Sequence, residues 1–90
     1  TAVIGFSPSN AYPVLYASAQ LGLRVPEDLS LITFSDETAN INGVEVASLI
    51  IPFREMGIGS VKMLLKKIKQ GNKQLPSLKL PLHYSEGHTL

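Results

Sequence analysis

The sequence contains no cysteine and no tryptophan among its 90 residues. The lack of cysteine excludes disulfide bonds and thiolate metal sites, which fits a cytoplasmic protein. Charge is nearly balanced, with a formal net charge of +1, so the overall charge does not call for nucleic acid or a membrane as a partner. No apolar run reaches the length of about 20 residues that crosses a bilayer. These absences leave an ordinary globular domain.

The first six residues, TAVIGF, already form an apolar segment without a polar leader. A chain of this length buries only about 60% of the surface that its unfolded form exposes, so independent stability is marginal. We therefore expect these residues to be one piece of a longer protein. In that case the lack of a targeting segment says little about where the protein acts.

Apolar segments alternate with helical patterns along the chain. Strands are predicted at residues 1–6 and 29–34, both apolar enough to be covered on two faces, and shorter ones at 49–51 and 78–84. Helices are predicted at 11–21 and 53–70, and residues 37–48 are predicted to be a loop. This order predicts an α/β domain with a mainly parallel sheet and flanking helices.

The first predicted helix carries an apolar stripe and an awkward proline. The residues predicted to be buried are Val14, Leu15, Ala17, Ser18 and Leu21. Pro13 is either the first helical residue, a position that proline favours, or an internal residue of a helix that starts at Ser7–Pro8. In the second case it removes one internal hydrogen bond. The sequence leaves both alternatives open.

Polar residues follow the two most apolar strands. Ser7 comes after the first, and Ser35 and Asp36 come after the second. Ligands of such sheets bind beyond the carboxyl ends of the strands, so these residues would share one crevice if the strands are neighbours. The alternative is that Asp36 braces the following loop, because aspartate commonly accepts hydrogen bonds from nearby backbone amides.

The segments LGLRVPEDLSLITFSD, PFREMG, LLKKIKQG and KLP follow one another in an order that extends beyond any short motif. In this order the chain resembles the C-terminal part of the effector-binding core of LacI/GalR-family (lac repressor and galactose repressor) transcription regulators. The resemblance implies two α/β lobes similar to periplasmic sugar-binding proteins, with a small molecule between them. It also implies a homodimer, no enzymatic activity, no cofactor, and operator binding by a separate N-terminal headpiece that is absent from these residues.

The resemblance assigns three groups of residues. The effector would contact Ser7, Ser35, Asp36 and Phe53; the hinge between the lobes would run through Ile51, Pro52, Leu80 and Pro81; the dimer interface would include Tyr12, Leu15 and Tyr16. The helix at 53–70 would pack on the second lobe, most of which lies outside these residues.

Several positions depart from the family pattern. The first strand ends in Ser7–Pro8 where the family usually has Asn-Asp or Ser-Asp, and the first of two customary aspartates after the second strand is Ser35. VEVAS replaces Pro-Pro-Leu-Thr, and Gly87 stands where an arginine is usual. A carboxylate accepts hydroxyl protons through charge-assisted bonds roughly twice as strong as neutral ones, so Ser35 predicts weak binding of simple sugars.

Other constellations have simpler explanations. Ser7, Asp36 and His83 contain the residue types of a hydrolase triad, but the chain has no G-x-S-x-G elbow. His83 and His88 have no further ligands at metal spacing. The glycines of MGIGS lie within a predicted helix, where close packing explains them, and the lysines of LLKKIKQGNK suit a solvated face near a helix C-terminus.

Three functional classes follow from these residues. The first is the ligand-sensing and dimerising core of a transcription regulator, and the second is a periplasmic solute-binding protein of the same fold. The third, an enzyme on a doubly wound sheet, has no support because fold alone does not give chemistry. The VPEDLS segment followed by EMG favours the regulator.

Overall fold

A computed structural model describes residues 1–71 and 74–90. The elements are β1 (Ala2–Gly5), α1 (Pro8–Gln20), β2 (Ser30–Ser35), β3 (Ala39–Ile41), β4 (Val44–Ile50), α2 (Phe53–Gln70) and β5 (His83–Ser85). The chain divides into two compact units. The first contains Thr1–Ile51 and Leu82–Leu90, and the second contains Pro52–Pro81.

The first unit is built on a five-stranded sheet in the order β1-β2-β4-β3, with β5 also paired to β4. β1, β2 and β4 run parallel, while β3 and β5 are antiparallel to β4. α1 packs on β1 and β2 and covers one face. The predicted α/β architecture with a mainly parallel sheet is confirmed.

α1 starts earlier than the sequence pattern suggested. Ser7 is its N-cap and Pro8 occupies the first turn, so Pro13 lies inside the helix. The side chain of Pro13 is exposed, which lets water take the place of the lost helical hydrogen bond. The second of the two alternatives for Pro13 is therefore the one that the structure adopts.

The buried stripe of α1 lies partly where it was predicted. Ser18 is buried, Val14 and Leu15 are half-buried, and Ala11 is fully buried one turn earlier. The prediction was wrong for Ala17 and Leu21, because both are exposed. Leu21 is the C-cap and lies past the end of α1, and Ala17 lies off the face that positions 11, 14, 15 and 18 form at helical spacing.

The core of the first unit is small. Ala11, Leu31, Ala39 and Val46 form its buried cluster, and five half-buried residues pack against it: Val3, Val14, Leu15, Val25 and Ile41. The odd-numbered residues of β2 point toward this core, so Leu31, Thr33 and Ser35 are buried.

Residues 37–48 were wrongly predicted to be a loop. They contain β3 and the first five of the seven residues of β4, which form a hairpin with Ile41 opposite Val44. The two residues between them, Asn42 and Gly43, have φ angles of 51° and 84°. Positive φ at both central residues suits the tight turn of a two-residue hairpin, for which Asn-Gly is a favoured sequence.

Two other strand predictions need correction. β1 is not covered on both faces, because Ile4 is 70% exposed on the face opposite α1. The last strand is only His83–Ser85 and not 78–84. Pro81 has no N–H to donate to a ladder, which agrees with a strand that starts after it.

The VPED turn between α1 and β2 carries an exposed ion pair between Arg24 and Asp28. The Arg24 side chain lies 3.1 Å from Asp28 Oδ2, and the backbone N–H of Arg24 donates to the same oxygen over 2.8 Å. The Arg24 side chain, and second its backbone amide, hold the pKa of Asp28 below its ordinary value. This turn sets where β2 begins.

The second unit contains α2, whose predicted bounds are confirmed. None of its described side chains is buried. Met63 is half-buried, and seven apolar residues are exposed: Phe53, Met56, Ile58, Val61, Leu64, Leu65 and Ile68. One side of the helix contacts the segment after it, where a Cβ on Gly59 would lie 3.2 Å from Leu78 Cδ2. Close packing therefore explains Gly59, whereas Gly57 has open space around it.

Candidate functional site

The carboxyl ends of the parallel strands meet at one edge of the sheet in the first unit. Ser7 follows β1, Ser35 ends β2, and Ile51 follows β4. The Ile51 N–H donates to the Ser35 carbonyl over 2.7 Å, which ties the ends of β2 and β4 together. The structure thus places Ser7, Ser35 and Asp36 along the same edge, on adjacent strands.

Ser7 performs a structural task at this edge. Its backbone carbonyl accepts from the N–H groups of Asn10 and Ala11, at 3.0 and 3.3 Å, which starts α1. Its hydroxyl donates to Asn10 Oδ1 over 3.2 Å. An amide oxygen is not a general base, so this hydroxyl is not set up as a nucleophile.

Ser35, and not Asp36, accepts the hydrogen bond from the loop that follows β2. The Ser35 side chain is buried, with 6% of the residue exposed, and its Oγ accepts from the Glu37 N–H over 3.3 Å. The loop amide that Asp36 was expected to hold is therefore held by Ser35. Asp36 is exposed and presents its carboxylate at the edge.

Phe6 was not predicted to be part of the site, and it dominates the exposed surface there. It follows β1 directly and is 85% exposed. The pairing of β1 with β2 ends at Gly5 opposite Thr33, so Phe6 is the first residue beyond the paired part of β1. Phe34, the residue after Thr33 on β2, lies opposite Leu49 on β4. The sequence did carry a signal, namely an aromatic residue placed between the apolar run and the polar turn.

Thr33 braces the base of this edge. It is fully buried, and its hydroxyl lies 3.3 Å from the Gly5 carbonyl and 3.2 Å from the Phe34 carbonyl. A Cβ on Gly5 would lie 3.3 Å from the same hydroxyl, so the close approach of β1 and β2 favours glycine at this position. Alternation along the strand could have identified Thr33 as inward-facing, although not its partner.

The edge combines apolar side chains with a few polar groups, a combination that is typical of small-molecule sites. Among residues 1–71 and 74–90, no group of three or more histidine, aspartate or glutamate side chains could hold a metal ion. Within the same residues, neither helix has the length and apolarity needed to cross a membrane.

A separate groove lies between α1 and the β3–β4 hairpin. Its cavity of about 350 Å³ is lined by ten residues: Tyr12, Leu15, Tyr16, Ser18, Ala19, Leu23, Val25, Ile41, Asn42 and Val44. Tyr12 and Tyr16 are 50% and 58% exposed, and Gln20 Nε2 donates to the Tyr16 hydroxyl over 3.0 Å. The three residues predicted for a dimer interface therefore line one surface.

The remaining predicted site residues lie at or beyond the division between the units. The first unit ends at Ile51 and resumes at Leu82, so the chain passes into the second unit at Pro52 and out of it at Pro81. Leu80 and Phe53 belong to the second unit, where Phe53 begins α2 and is 55% exposed.

Comparison with known proteins gives a consistent set of relatives. The family of periplasmic binding protein-like domains matches residues 1–90. The arabinose metabolism transcriptional repressor of Geobacillus stearothermophilus is 34% identical over 71 residues, which are 78% of this chain and 20% of that protein. The ribose operon repressor of Haemophilus influenzae is 35% identical over 81 residues, which are 89% of this chain and 24% of that protein.

A more distant relative is the catabolite control protein A of Staphylococcus epidermidis, at 27% identity over 81 residues, 89% of this chain and 25% of that protein. The chain thus spans about a fifth to a quarter of the length of the curated relatives that it matches.

Proposed function

This chain belongs to the family of periplasmic-binding-protein-like domains, in the form carried by LacI/GalR-family transcription regulators, and we propose that it acts in the effector-binding and dimerisation core of such a regulator. The observation that carries the proposal is the family match over residues 1–90, together with relatives named as transcriptional repressors. The alternative, a periplasmic solute-binding protein, is not favoured, because none of the three relatives described above bears such a name.

In this proposal, the regulator contacts operator DNA through a headpiece outside these 90 residues. Phosphate contacts dominate the affinity of proteins for DNA, and a net charge of +1 offers little for that purpose. The protein would act in the cytoplasm, where the operator is, and its role would be binding and not catalysis. No cofactor enters the proposal.

We place the effector at the carboxyl edge of the sheet, against Ser7, Ser35, Asp36 and Phe6. Supporting this are the parallel strand order and the exposure of Phe6 and Asp36. Phe53 remains a proposed effector contact on the family resemblance alone. Ile51, Pro52, Leu80 and Pro81 remain the proposed hinge, a proposal that the unit boundaries at Pro52 and Pro81 support.

The effector proposal predicts weak binding of simple sugars. The complete regulator should bind ribose and arabinose weakly, because Ser35 replaces a carboxylate and its hydroxyl is already bonded to the Glu37 amide. Ser35→Asp should strengthen binding of these sugars by about tenfold or more, the effect of one charge-assisted hydrogen bond of roughly 1.5–3 kcal/mol. Titration calorimetry of the complete protein with each sugar measures both affinities.

Thr38→Asp is the matched control, since it adds a carboxylate at an exposed position of the same loop that is not a proposed effector contact. Because Ser35 is buried, urea unfolding of Ser35→Asp separates a loss of folding from a change in affinity. Tight binding of ribose or arabinose by the unmodified protein would contradict the role assigned to the serine.

We assign the dimer interface to the groove lined by Tyr12, Leu15 and Tyr16, with a second copy of the chain as its occupant. The groove is apolar with half-exposed tyrosines at its rim, and tyrosine is enriched at protein interfaces because it combines an apolar ring with a polar tip. The hairpin residues Ile41 and Val44 extend the same apolar surface.

Tyr16→Glu should therefore weaken self-association. A charge buried in an interface core is unfavourable, and truncating a hot-spot tyrosine changes affinity by about tenfold or more. Sedimentation velocity over a range of concentrations measures the change. Ala17→Glu is the control, because Ala17 is exposed on the same helix and does not line the groove. Equal effects of the two substitutions, or a monomer at every concentration, would exclude this interface.

A further inference from the structure

The turn of the β3–β4 hairpin consists of Asn42 followed by Gly43. Asn42 and Gly43 are both exposed, and a Cβ placed on Gly43 would meet no atom within 4 Å. Gly43 has no side chain that would shield its backbone nitrogen from the neighbouring Asn42 side chain. The other asparagines with a described position, Asn10 and Asn40, precede Ala11 and Ile41, each of which carries a side chain next to the corresponding nitrogen.

We propose that Asn42 is a site of spontaneous deamidation. The Gly43 nitrogen loses its proton to solvent base and forms a bond to Cγ of Asn42. The bond from Cγ to the side-chain nitrogen breaks, and that nitrogen takes up a proton and leaves as ammonia. Water then opens the resulting cyclic imide at either carbonyl, which gives aspartate or isoaspartate. The sequence of steps consumes one water, releases one ammonia and involves no oxidation or reduction.

Asn40 controls the availability of the attacking nitrogen. Its Oδ1 accepts the Gly43 N–H over 3.0 Å across the turn. This hydrogen bond holds the proton that must leave before attack, so it slows the reaction without blocking it, because an exposed hydrogen bond opens readily to water. Removing the Asn40 amide should therefore accelerate the loss of the Asn42 amide.

The reaction would change a defined surface. Asn42 lines the groove that contains Tyr12, Leu15 and Tyr16, and aspartate or isoaspartate there would add a negative charge beside apolar side chains. If the groove binds a second copy of the chain, as proposed above, the modified protein should associate more weakly. The weaker self-association depends on the proposed dimer, whereas the deamidation of Asn42 does not.

Peptide mass spectrometry after incubation of the folded protein at mildly alkaline pH tests the proposal. The expected result is conversion of Asn42 while Asn10 and Asn40 keep their amides, with isoaspartate detected by isoaspartyl methyltransferase labelling. Asn40→Ala should convert faster at position 42. Asn42→Gly, which keeps the positive φ of the turn, should show no conversion in this peptide.

Two results would overturn the proposal. One is an intact Asn42 amide after a period in which Asn10 or Asn40 has converted. The other is conversion of Asn42 only in urea-unfolded protein, which would mean that the turn protects it. The converted form, separated by ion exchange, is then compared with the unmodified form by sedimentation. If both forms are monomeric, the proposed dimer is wrong. The mass spectrometry result still shows whether Asn42 is deamidated.

Discussion

Replacing Gly87 with alanine is expected to destabilise the first unit by about 2–5 kcal/mol, from about 1–3 kcal/mol of overpacking and about 1–2 kcal/mol of left-handed backbone strain. This is a large part of the total stability of a small domain. Gly87 has a φ of +55°, and a Cβ there would lie 2.5 Å from the backbone nitrogen of Ala47 and 2.7 Å from the carbonyl carbon of Val46. Both neighbours are backbone atoms of a central strand, which cannot move aside as a flexible side chain can. The C-terminal segment must therefore shift away from β4.

Gly22→Ala is the matched control for this substitution. Gly22 has a φ of +70°, but a Cβ added there would have no atom within 4 Å, so alanine experiences only backbone strain of about 1–2 kcal/mol. Urea unfolding followed by circular dichroism gives both values. If Gly87→Ala lowers the free energy of unfolding no more than Gly22→Ala does, the close approach of Gly87 to β4 does not contribute to stability.

Thr89→Val is expected to destabilise the first unit by about 2–4 kcal/mol, because each buried polar group left without a partner costs about 1–3 kcal/mol. Thr89 is fully buried. Its hydroxyl donates to the Leu31 carbonyl over 2.6 Å and accepts from the Ala47 N–H over 2.9 Å. Valine has nearly the same shape but offers neither bond, so two buried backbone groups would lose a partner.

Thr38→Val provides the comparison for Thr89→Val, since Thr38 is exposed and its change should stay within about 0.5 kcal/mol. Thr89→Ser keeps the hydroxyl and should recover most of the loss. If Thr89→Ser were as unstable as Thr89→Val, the methyl group and not the two hydrogen bonds would explain the effect. A third hydrogen bond runs from the Leu31 N–H to the Thr89 carbonyl. It involves only backbone atoms, so the unmodified protein, Thr89→Val and Thr89→Ser should all retain it.

The C-terminal segment also explains a departure from the family pattern. It crosses close over β4, where His88 donates its N–H to the Glu45 carbonyl over 2.7 Å. An arginine at position 87 would meet the same backbone atoms as alanine, so the path of this chain requires glycine there. The sequence alone identified the substitution but offered no reason for it.

Strong periodic patterns were sufficient to predict much of the fold. The helix Phe53–Gln70 was predicted with its observed bounds, because a regular apolar face lies between Pro52 and Gly71. The second strand, observed at Ser30–Ser35, was predicted at residues 29–34 from its continuous apolar run. A local sequence pattern does not predict a strand that depends on its pairing partner. β3 is an example, because the three residues Ala39–Ile41 show no strand pattern of their own and form a strand by pairing with β4.

The candidate site was harder to predict than the fold. The position of Ser35 at the strand end followed from the sequence, but its hydrogen bond to the Glu37 amide depends on how the chain turns after β2. Burial of β1 was overestimated for a related reason. A continuous apolar run predicts a strand whose two faces can both be buried. It does not show whether these 90 residues contain the elements that would cover both faces.

The location of the effector is tested most directly by hydrogen exchange. A metabolite that raises the melting temperature of the complete regulator in a thermal-shift screen is added, and exchange is compared with and without it. We predict protection of the amides at residues 6–7 and 35–37, at the carboxyl edge of the sheet. Protection confined to the groove beside Tyr12 and Tyr16, with unchanged exchange at the edge, would contradict the proposed effector site.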